Sequence, residues 1–179
     1  MDDDKVKLIE CIRTWQGECI DSGQAALLCR FKYCNKACKF CDTLIKMRVS
    51  KESEYSIKEL QKEITENKLG IMITGGEPTI DKHFQDTLAL LNKLEYTYAN
   101  VETNGHQLKK LLGAVNPDKP VKYIYSPKIF DITDLEEEKA RSKDLIKYAN
   151  VFIKVVYEER TYIVDRVFTH SINYSYVDK

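Results

Sequence analysis

The sequence predicts an α/β protein, a partial, open TIM-like (β/α) barrel of about five or six mainly parallel strands. Apolar, strand-like runs alternate with amphipathic helices, a pattern typical of βα units. Four polar motifs each directly follow an apolar run, and the carboxyl ends of parallel strands gather on one face of a barrel. A complete barrel usually takes at least about 200 residues, whereas this chain has 179.

The predicted strands cover residues 6–12, 25–33, 71–73, 98–101, 121–125 and 151–157. The first alternates apolar and polar residues, and the others are mostly apolar. Between the first two, Asp21-Ser-Gly23 supplies turn residues. Residues 161–179 are rich in β-branched and aromatic side chains without a helical period. We therefore expect extended structure there.

The predicted helices cover residues 57–67, 81–94, 107–112 and 134–148. Ser56 with Glu59 three residues later forms a capping box at the start of the first helix, and Gly70 closes it. Residues 46–55 are polar, and we expect a mobile segment there. The charge run at 134–141 predicts a solvated helix face rather than a binding patch. No internal repeat is found, so we expect a single domain over residues 1–179.

Composition excludes several classes of partner. The chain has 28 basic and 28 acidic residues, so no overall field attracts it to nucleic acid or to a membrane. Its first five residues are acidic rather than a basic leader, and no apolar stretch reaches the roughly 18 residues that span a bilayer. We expect a cytoplasmic protein that does not bind nucleic acid directly.

Cys34, Cys38 and Cys41 form a C-x3-C-x2-C triplet. Iron–sulfur clusters are normally held by four cysteine thiolates, so a triplet can hold three irons of a cubane and leave the fourth iron open. A structural zinc site is the main alternative, but such sites are four-coordinate and usually pair their ligands. The three histidines show no such spacing (His83, His106 and His170). The other three cysteines are interpreted as small buried hydrophobes (Cys11, Cys19 and Cys29).

The remaining motifs also follow predicted strands. In Thr74-Gly-Gly-Glu-Pro78, two glycines allow close approach of the backbone to a ligand, and Glu77 can accept from an ammonium group. Glu102 and Asn104 end the next strand, and Ser126 ends the one after. Their side chains can hydrogen-bond a ribose or a carboxylate, although loop capping is an alternative role.

Together these motifs resemble the radical S-adenosylmethionine superfamily. The resemblance implies that the open iron binds the methionine amino and carboxylate groups of S-adenosylmethionine. One electron then cleaves the sulfonium to a 5′-deoxyadenosyl radical. It also implies a set of cofactor-binding residues, which are Phe40, Cys41, Asp42, Gly75, Gly76, Glu77, Glu102, Asn104, Ser126, Pro127 and Lys128.

Within that superfamily, the ordered set Gln16-Gly-Glu18, Arg30 and Cys41-Asp-Thr43 with the later motifs resembles the 7-carboxy-7-deazaguanine synthase family. This implies ring contraction of 6-carboxy-5,6,7,8-tetrahydropterin to 7-carboxy-7-deazaguanine, with loss of ammonia. It implies Mg²⁺ on the Thr43 hydroxyl, for which a helix or turn cap is the alternative role. A homodimer and an external electron donor such as flavodoxin or ferredoxin are further expectations. The implied substrate-binding residues are Trp15, Gln16, Gly17, Glu18, Arg30 and Thr74.

The chain departs from the family pattern at three places. Cys19 and Tyr33 stand where the family usually has glycine, and residues 174–179 do not match the segment that closes over the pterin. Two alternatives therefore stay open. One is a glycyl-radical enzyme activase, which acts on a partner polypeptide, and the other is a non-catalytic regulatory homologue.

Overall fold

The computed structural model describes residues 4–17, 19–38, 41, 43–129, 132–157 and 160–164, and the side chains of all of these except 132–133 and those from 155 onward. Nine strands and five helices are found in these ranges. In chain order they are β1 (Lys5–Leu8), β2 (Glu10–Trp15), β3 (Ala25–Phe31), α1 (Leu44–Val49), β4 (Ser53–Ser56), α2 (Ile57–Asn67), β5 (Gly70–Gly75), α3 (Asp81–Lys93), β6 (Ala99–Thr103), α4 (Leu108–Ala114), β7 (Val121–Tyr125), α5 (Ile132–Leu145), β8 (Val151–Tyr157) and β9 (Arg160–Val164).

A seven-stranded sheet in the order β2-β3-β5-β6-β7-β8-β9 forms the body of the fold. The five central strands pair in parallel, and β2 and β9 are antiparallel to their neighbours. The predicted α/β class and its mainly parallel, open barrel are thus confirmed. A separate antiparallel pair joins β1 to β4. In the described part of the chain, every helix is too short or too polar to cross a membrane.

Three local predictions are wrong. The single strand expected over residues 6–12 is two strands, β1 and β2, which lie in different sheets. Residues 46–55, expected to be a mobile segment, contain most of α1 and the strand β4, which gains its hydrogen bonds by pairing with β1. Gly70 does not close α2 but begins β5. The helix ends at Asn67 and is capped by Lys68, whose left-handed backbone (φ 52°) lets its N–H reach the carbonyls of Ile64 and Thr65. At the other end of α2, Ser56 Oγ accepts the Glu59 N–H at 3.3 Å, as the capping signal predicted.

The core lies on both faces of the sheet. Alternate residues of β3 face the helices, where Leu27, Cys29 and Phe31 join a large buried cluster. The intervening residues face the barrel interior, where a small cluster contains Ala26, Leu28, Met72 and Tyr98. Burial of each large apolar side chain stabilises the fold by roughly 1.5–3 kcal/mol.

Tyr98 closes the end of the barrel at which the parallel strands begin. Its ring lies directly on Gly70, where a Cβ atom would come within 2.2 Å of the ring. Its hydroxyl donates to the carbonyl of Ala25 at 3.2 Å, and burial raises the pKa of Tyr98 to about 12, so the donor proton is kept. An ion pair between Lys122 and the buried Asp21, 2.6 Å long, lies at the same end. We call this set the barrel floor.

The scattered cysteines are free thiols. Cys19 and Cys29 are buried, which confirms their interpretation, and Cys11 lies opposite Cys29 in the β2–β3 ladder and is partly buried. A hydrogen bond with Cys11, together with burial, raises the pKa of the Cys29 thiol. Cys19 has a left-handed backbone (φ 68°), the conformation that glycine adopts most easily. The family's usual glycine at this position therefore has a conformational reason.

Candidate functional site

A cavity of about 520 Å³ opens at the carboxyl ends of the parallel strands. Its volume lies in the range of small-molecule sites. The four motifs that follow strands all contribute to its wall, as the fold class predicted. The predicted site residues among its lining are Arg30, Cys34, Cys38, Cys41, Thr43, Thr74, Gly75, Gly76, Glu77, Glu102, Asn104, Ser126 and Lys128.

Seven predicted residues are not in that wall. Glu18, Phe40 and Asp42 lie outside the described residues. Pro127 is partly buried beside the lining residues Ser126 and Lys128. Trp15 is 70% exposed, and it pairs with Ala25 at the start of β3.

Trp15 ends the antiparallel strand β2, and Gln16 and Gly17 follow it, so all three lie near the barrel floor rather than at the cavity. Gln16 is buried there, and its backbone N–H donates to the carbonyl of Gln24 at 2.8 Å. The described residues do not join this segment to the cavity wall. Its role in binding substrate stays a prediction.

The three cysteines of the triplet lie on the loop that follows β3. The Lys36 N–H donates to the Cys34 sulfur at 3.4 Å, and the Cys41 N–H donates to the Cys38 carbonyl at 3.3 Å. Burial raises the pKa of the Cys34 thiol, and the charges of Glu77, Cys38 and Cys41 raise it further. A thiolate at Cys34 is therefore unfavourable unless positive charge lies beside it.

Iron would supply that charge, so a set of three thiolate donors fits an iron–sulfur cluster. Among the described residues, no three His, Cys, Asp or Glu side chains converge closely enough to hold a single metal ion. The three sulfurs share the wall of one cavity instead.

Tyr33, which replaces the usual glycine before Cys34, is accommodated at the surface. Its ring is 39% exposed, and the Lys82 ammonium lies 3.3 Å from the ring centroid. The Tyr33 carbonyl accepts the Glu77 N–H at 2.7 Å. The substitution therefore leaves the backbone of the cysteine loop in contact with the Thr74–Pro78 motif.

The glycines of that motif pack against backbone. Gly75 has φ +109°, and a Cβ there would lie 2.4 Å from the Phe31 carbonyl oxygen. At Gly76, a Cβ would lie 1.9 Å from the Tyr33 carbonyl oxygen. The structure thus adds a reason for the two glycines beyond the predicted approach to a ligand: they let β5 end directly against the chain that enters the cysteine loop.

The Glu77 carboxylate is 1% exposed and joins two strand ends. Its Oε1 accepts from the Thr79 N–H at 3.0 Å, the Thr79 hydroxyl at 2.6 Å and the Thr103 hydroxyl at 2.6 Å. Its Oε2 accepts the Asn104 N–H at 2.6 Å. The carbonyl of Glu77 contacts His83 Nδ1 at 2.9 Å, and the His83 ring stacks on Phe31 with centroids 4.6 Å apart. Glu77 therefore fixes the end of β6 relative to the end of β5.

A second carboxylate in the cavity wall, that of Glu102, is partly buried. Thr74 donates to Glu102 Oε2 at 3.2 Å, and the Lys154 ammonium lies 3.8 Å from the same oxygen. Lys154 is 8% exposed and lines the cavity. Lys154 was not among the predicted site residues, because a lysine in a strand usually faces solvent. Its position within the otherwise apolar run 151–157 was the one indication that it is buried.

Arg30 is held by a short chain of ion pairs. Its Nε lies 2.8 Å from Glu10 Oε2, and Lys46 pairs with the other Glu10 oxygen. Burial by itself raises the pKa of Glu10, but the hydrogen bonds and charges of Lys46 and Arg30 more than offset it and hold that pKa below its usual range. Within the described residues, the two Nη atoms of Arg30 make no hydrogen bond. They are available to a ligand in the cavity.

Two predicted hydroxyls and an amide complete the wall. Lys128 Nζ donates to Ser126 Oγ at 3.0 Å, and the Ser126 N–H donates to the Thr103 carbonyl at 2.8 Å. The Thr43 hydroxyl lies 3.3 Å from the Gly75 carbonyl oxygen and 3.4 Å from the Cys41 sulfur. The side chain of Asn104 contacts the cysteine loop, with Nδ2 2.8 Å from Asn35 Oδ1.

Comparison with known proteins gives consistent matches. A family model described as the radical SAM superfamily matches residues 29–123. The 7-carboxy-7-deazaguanine synthase of Clostridium acetobutylicum is 33% identical over an alignment of 103 residues, which covers 55% of this chain and 46% of that protein. The enzyme of the same name from Hyperthermus butylicus is 28% identical over an alignment of 127 residues, which covers 65% of this chain and 54% of that one. The chain thus spans about half the length of these relatives.

A solved structure, that of QueE from Escherichia coli, superposes with a TM-score of 0.56 at 21% identity. The match covers 84% of this chain and 82% of that one. At this identity the likeness supports the fold alone.

Proposed function

Since this chain belongs to the radical SAM superfamily, we propose that it contracts the ring of 6-carboxy-5,6,7,8-tetrahydropterin to 7-carboxy-7-deazaguanine, with loss of ammonia. The relatives that carry the name 7-carboxy-7-deazaguanine synthase support this reaction. The observation that carries the proposal is a cavity whose wall contains the cysteine triplet, Arg30 and Glu102 together.

Membership of the superfamily implies a [4Fe-4S] cluster and S-adenosylmethionine. Cys34, Cys38 and Cys41 would hold the cluster. When both groups are bound, they supply one electron and a radical that abstracts hydrogen from C6 of the pterin. The residues proposed to contact S-adenosylmethionine are those of the later motifs, together with Phe40 and Asp42.

Arg30 is proposed to bind the carboxylate of the pterin. Its Nε is already held by Glu10 at 2.8 Å, so the side chain is oriented before substrate arrives. The two Nη atoms can then donate to the two carboxylate oxygens, a bidentate geometry that favours carboxylates. Lys154 adds a second positive charge on the far wall, 3.8 Å from Glu102. The cavity therefore presents separated charges of both signs, which suits a zwitterionic cofactor beside an anionic substrate.

We assign a Mg²⁺ ion to Thr43 as part of the same proposal. Magnesium takes oxygen ligands and keeps several waters, so one protein hydroxyl, the substrate carboxylate and water form a reasonable set. The Thr43 hydroxyl lines the cavity and lies 3.3 Å from another oxygen, the Gly75 carbonyl. Its 3.4 Å contact with the Cys41 sulfur supports a competing role as a donor to that thiolate.

A homodimer in the cytoplasm, reduced by an external donor such as flavodoxin or ferredoxin, completes the proposal. These three points rest on the family resemblance and the composition. Analytical ultracentrifugation of the purified protein tests the oligomeric state. If the protein sediments as a monomer throughout the micromolar concentration range, the proposed homodimer is wrong.

The deciding experiment is a turnover assay on anaerobically reconstituted protein. The protein is incubated with 6-carboxytetrahydropterin, S-adenosylmethionine, Mg²⁺ and dithionite, and 7-carboxy-7-deazaguanine is measured by mass spectrometry. We expect more product than 5′-deoxyadenosine, because the product radical takes its hydrogen back and regenerates the cofactor.

Other outcomes separate the alternatives. A protein that cleaves S-adenosylmethionine without forming this product refutes the proposed reaction and favours an activase. A protein that takes up no cluster refutes the enzymatic proposal as a whole and favours a non-catalytic homologue.

A further inference from the structure

Asn104 is held from three sides at the edge of the cysteine loop. Its backbone N–H donates to Glu77 Oε2 at 2.6 Å, which fixes the residue at the end of β6. Its side-chain Oδ1 accepts the His106 N–H at 3.2 Å. Because a backbone N–H can only donate, this contact identifies the oxygen of the Asn104 amide. The amide nitrogen must then point the other way.

That nitrogen points at the first cysteine of the triplet. Nδ2 lies 2.8 Å from Asn35 Oδ1 and 3.8 Å from the Cys34 sulfur. Its two hydrogens can therefore serve two acceptors, one amide oxygen and one sulfur. The side chain is 5% exposed overall, so water competes little for either hydrogen.

We propose that the Asn104 side chain is a positioning residue that donates an N–H···S hydrogen bond to the Cys34 thiolate and raises the reduction potential of the cluster. This inference rests on the cluster of the proposed function, and it gives Asn104 a role other than binding S-adenosylmethionine. A reduced cluster carries one more negative charge than an oxidised one. Hydrogen bonds to its sulfurs stabilise the reduced state and are among the factors that set the potential.

Cys34 is distinguished from the other two cysteines by this environment. It accepts one N–H from the backbone of Lys36 at 3.4 Å and one from Asn104, which is 70 residues away. The second donor couples the cluster loop to the end of β6 through side chains alone. Replacing the side chain of Asn104 therefore removes a hydrogen bond to sulfur without altering the cysteine ligands.

The test is a redox titration of reconstituted protein without S-adenosylmethionine or pterin, followed by EPR of the reduced cluster. We expect Asn104→Ala to shift the midpoint potential to a more negative value at full iron and sulfide content. Asn104→Asp keeps the oxygen for the His106 N–H but places a negative oxygen near the sulfur, so its potential should be lower still. Asn92→Ala is the matched control, because its amide bonds to the Ala114 carbonyl at 3.2 Å, away from the cavity.

A parent-like potential in Asn104→Ala overturns the inference and leaves the proposed function standing. A parent protein that binds no cluster overturns both. If both variants lose the cluster, a pulsed EPR measurement on the unsubstituted protein tests the hydrogen bond instead. Protein labelled with ¹⁵N at asparagine side-chain amides should show a ¹⁵N hyperfine coupling by pulsed EPR, and absence of that coupling refutes the hydrogen bond.

Discussion

Glu77 offers the sharpest test of how the site is built, because its carboxylate has four protein donors within 3.0 Å. In Glu77→Ala, two backbone N–H groups, those of Thr79 and Asn104, lose their acceptor in a buried place. Each such loss costs about 1–3 kcal/mol, so the free energy of unfolding should fall by about 4 kcal/mol. The two threonine hydroxyls can rotate toward other acceptors and should add little.

The expected loss in Glu77→Gln is smaller, about 2 kcal/mol, because one amide oxygen still accepts and only one N–H faces another donor. Glu66→Ala is the matched control. Its side chain is 59% exposed and its ion pair with Lys62 is 3.8 Å long, so the change should stay within about 0.5 kcal/mol. Urea unfolding of the cluster-free, reduced protein, followed by circular dichroism, gives all three values. If Glu77→Ala also stays within about 0.5 kcal/mol, Glu77 does not hold the strand ends together, and its burial serves a ligand only.

Four further predictions concern the same site. Gly76→Ala should destabilise the protein by about 3 kcal/mol or more through overpacking. Gly113 lies in open space on α4, and Gly113→Ala should stabilise the protein by up to about 1 kcal/mol. Equal urea midpoints of unfolding for the two variants would contradict this. Glu10→Gln should weaken the pH dependence of the free energy of unfolding at acidic pH. Because the folded pKa of Glu10 is lowered, its contribution is complete above the unfolded value of about 4.3 and is lost below it; parallel curves from pH 3 to 7 would exclude it. Cys38→Ala should abolish the cluster and all cleavage of S-adenosylmethionine, checked by iron analysis and by chromatography for 5′-deoxyadenosine. Thr43→Ala should keep the cluster but weaken the Mg²⁺ dependence of turnover, and unchanged kinetics at varied Mg²⁺ would refute its metal role.

Much of the site follows from sequence order because its motifs end parallel strands. Residues 74–78, 102–105 and 126–128 each follow an apolar run, and parallel pairing alone brings them to one edge. The helix over residues 57–67 was predicted at its observed bounds, since both its capping residue and its apolar face are local signals.

The predictions that failed concern segments whose structure depends on residues distant in sequence. The α1 residues Ile45 and Val49 are 76% and 75% exposed, so this helix has no apolar face that packs on the core. The strand β4 exists because β1 lies beside it, a pairing that spans about 50 residues and leaves no local trace. Likewise, Gln16 lies away from the cavity because β2 runs antiparallel to β3, and the direction of a strand is not encoded in its own residues.

The barrel floor has a consequence for how ligands exchange. In the described part of the chain, Tyr98 and the ion pair of Lys122 with Asp21 close the end where the parallel strands begin. Within those residues the cavity therefore opens at the opposite end, where the parallel strands finish. We expect ligands to enter and leave from that end. A tightly held ligand near the strand ends would then prolong the residence time of a ligand bound beneath it.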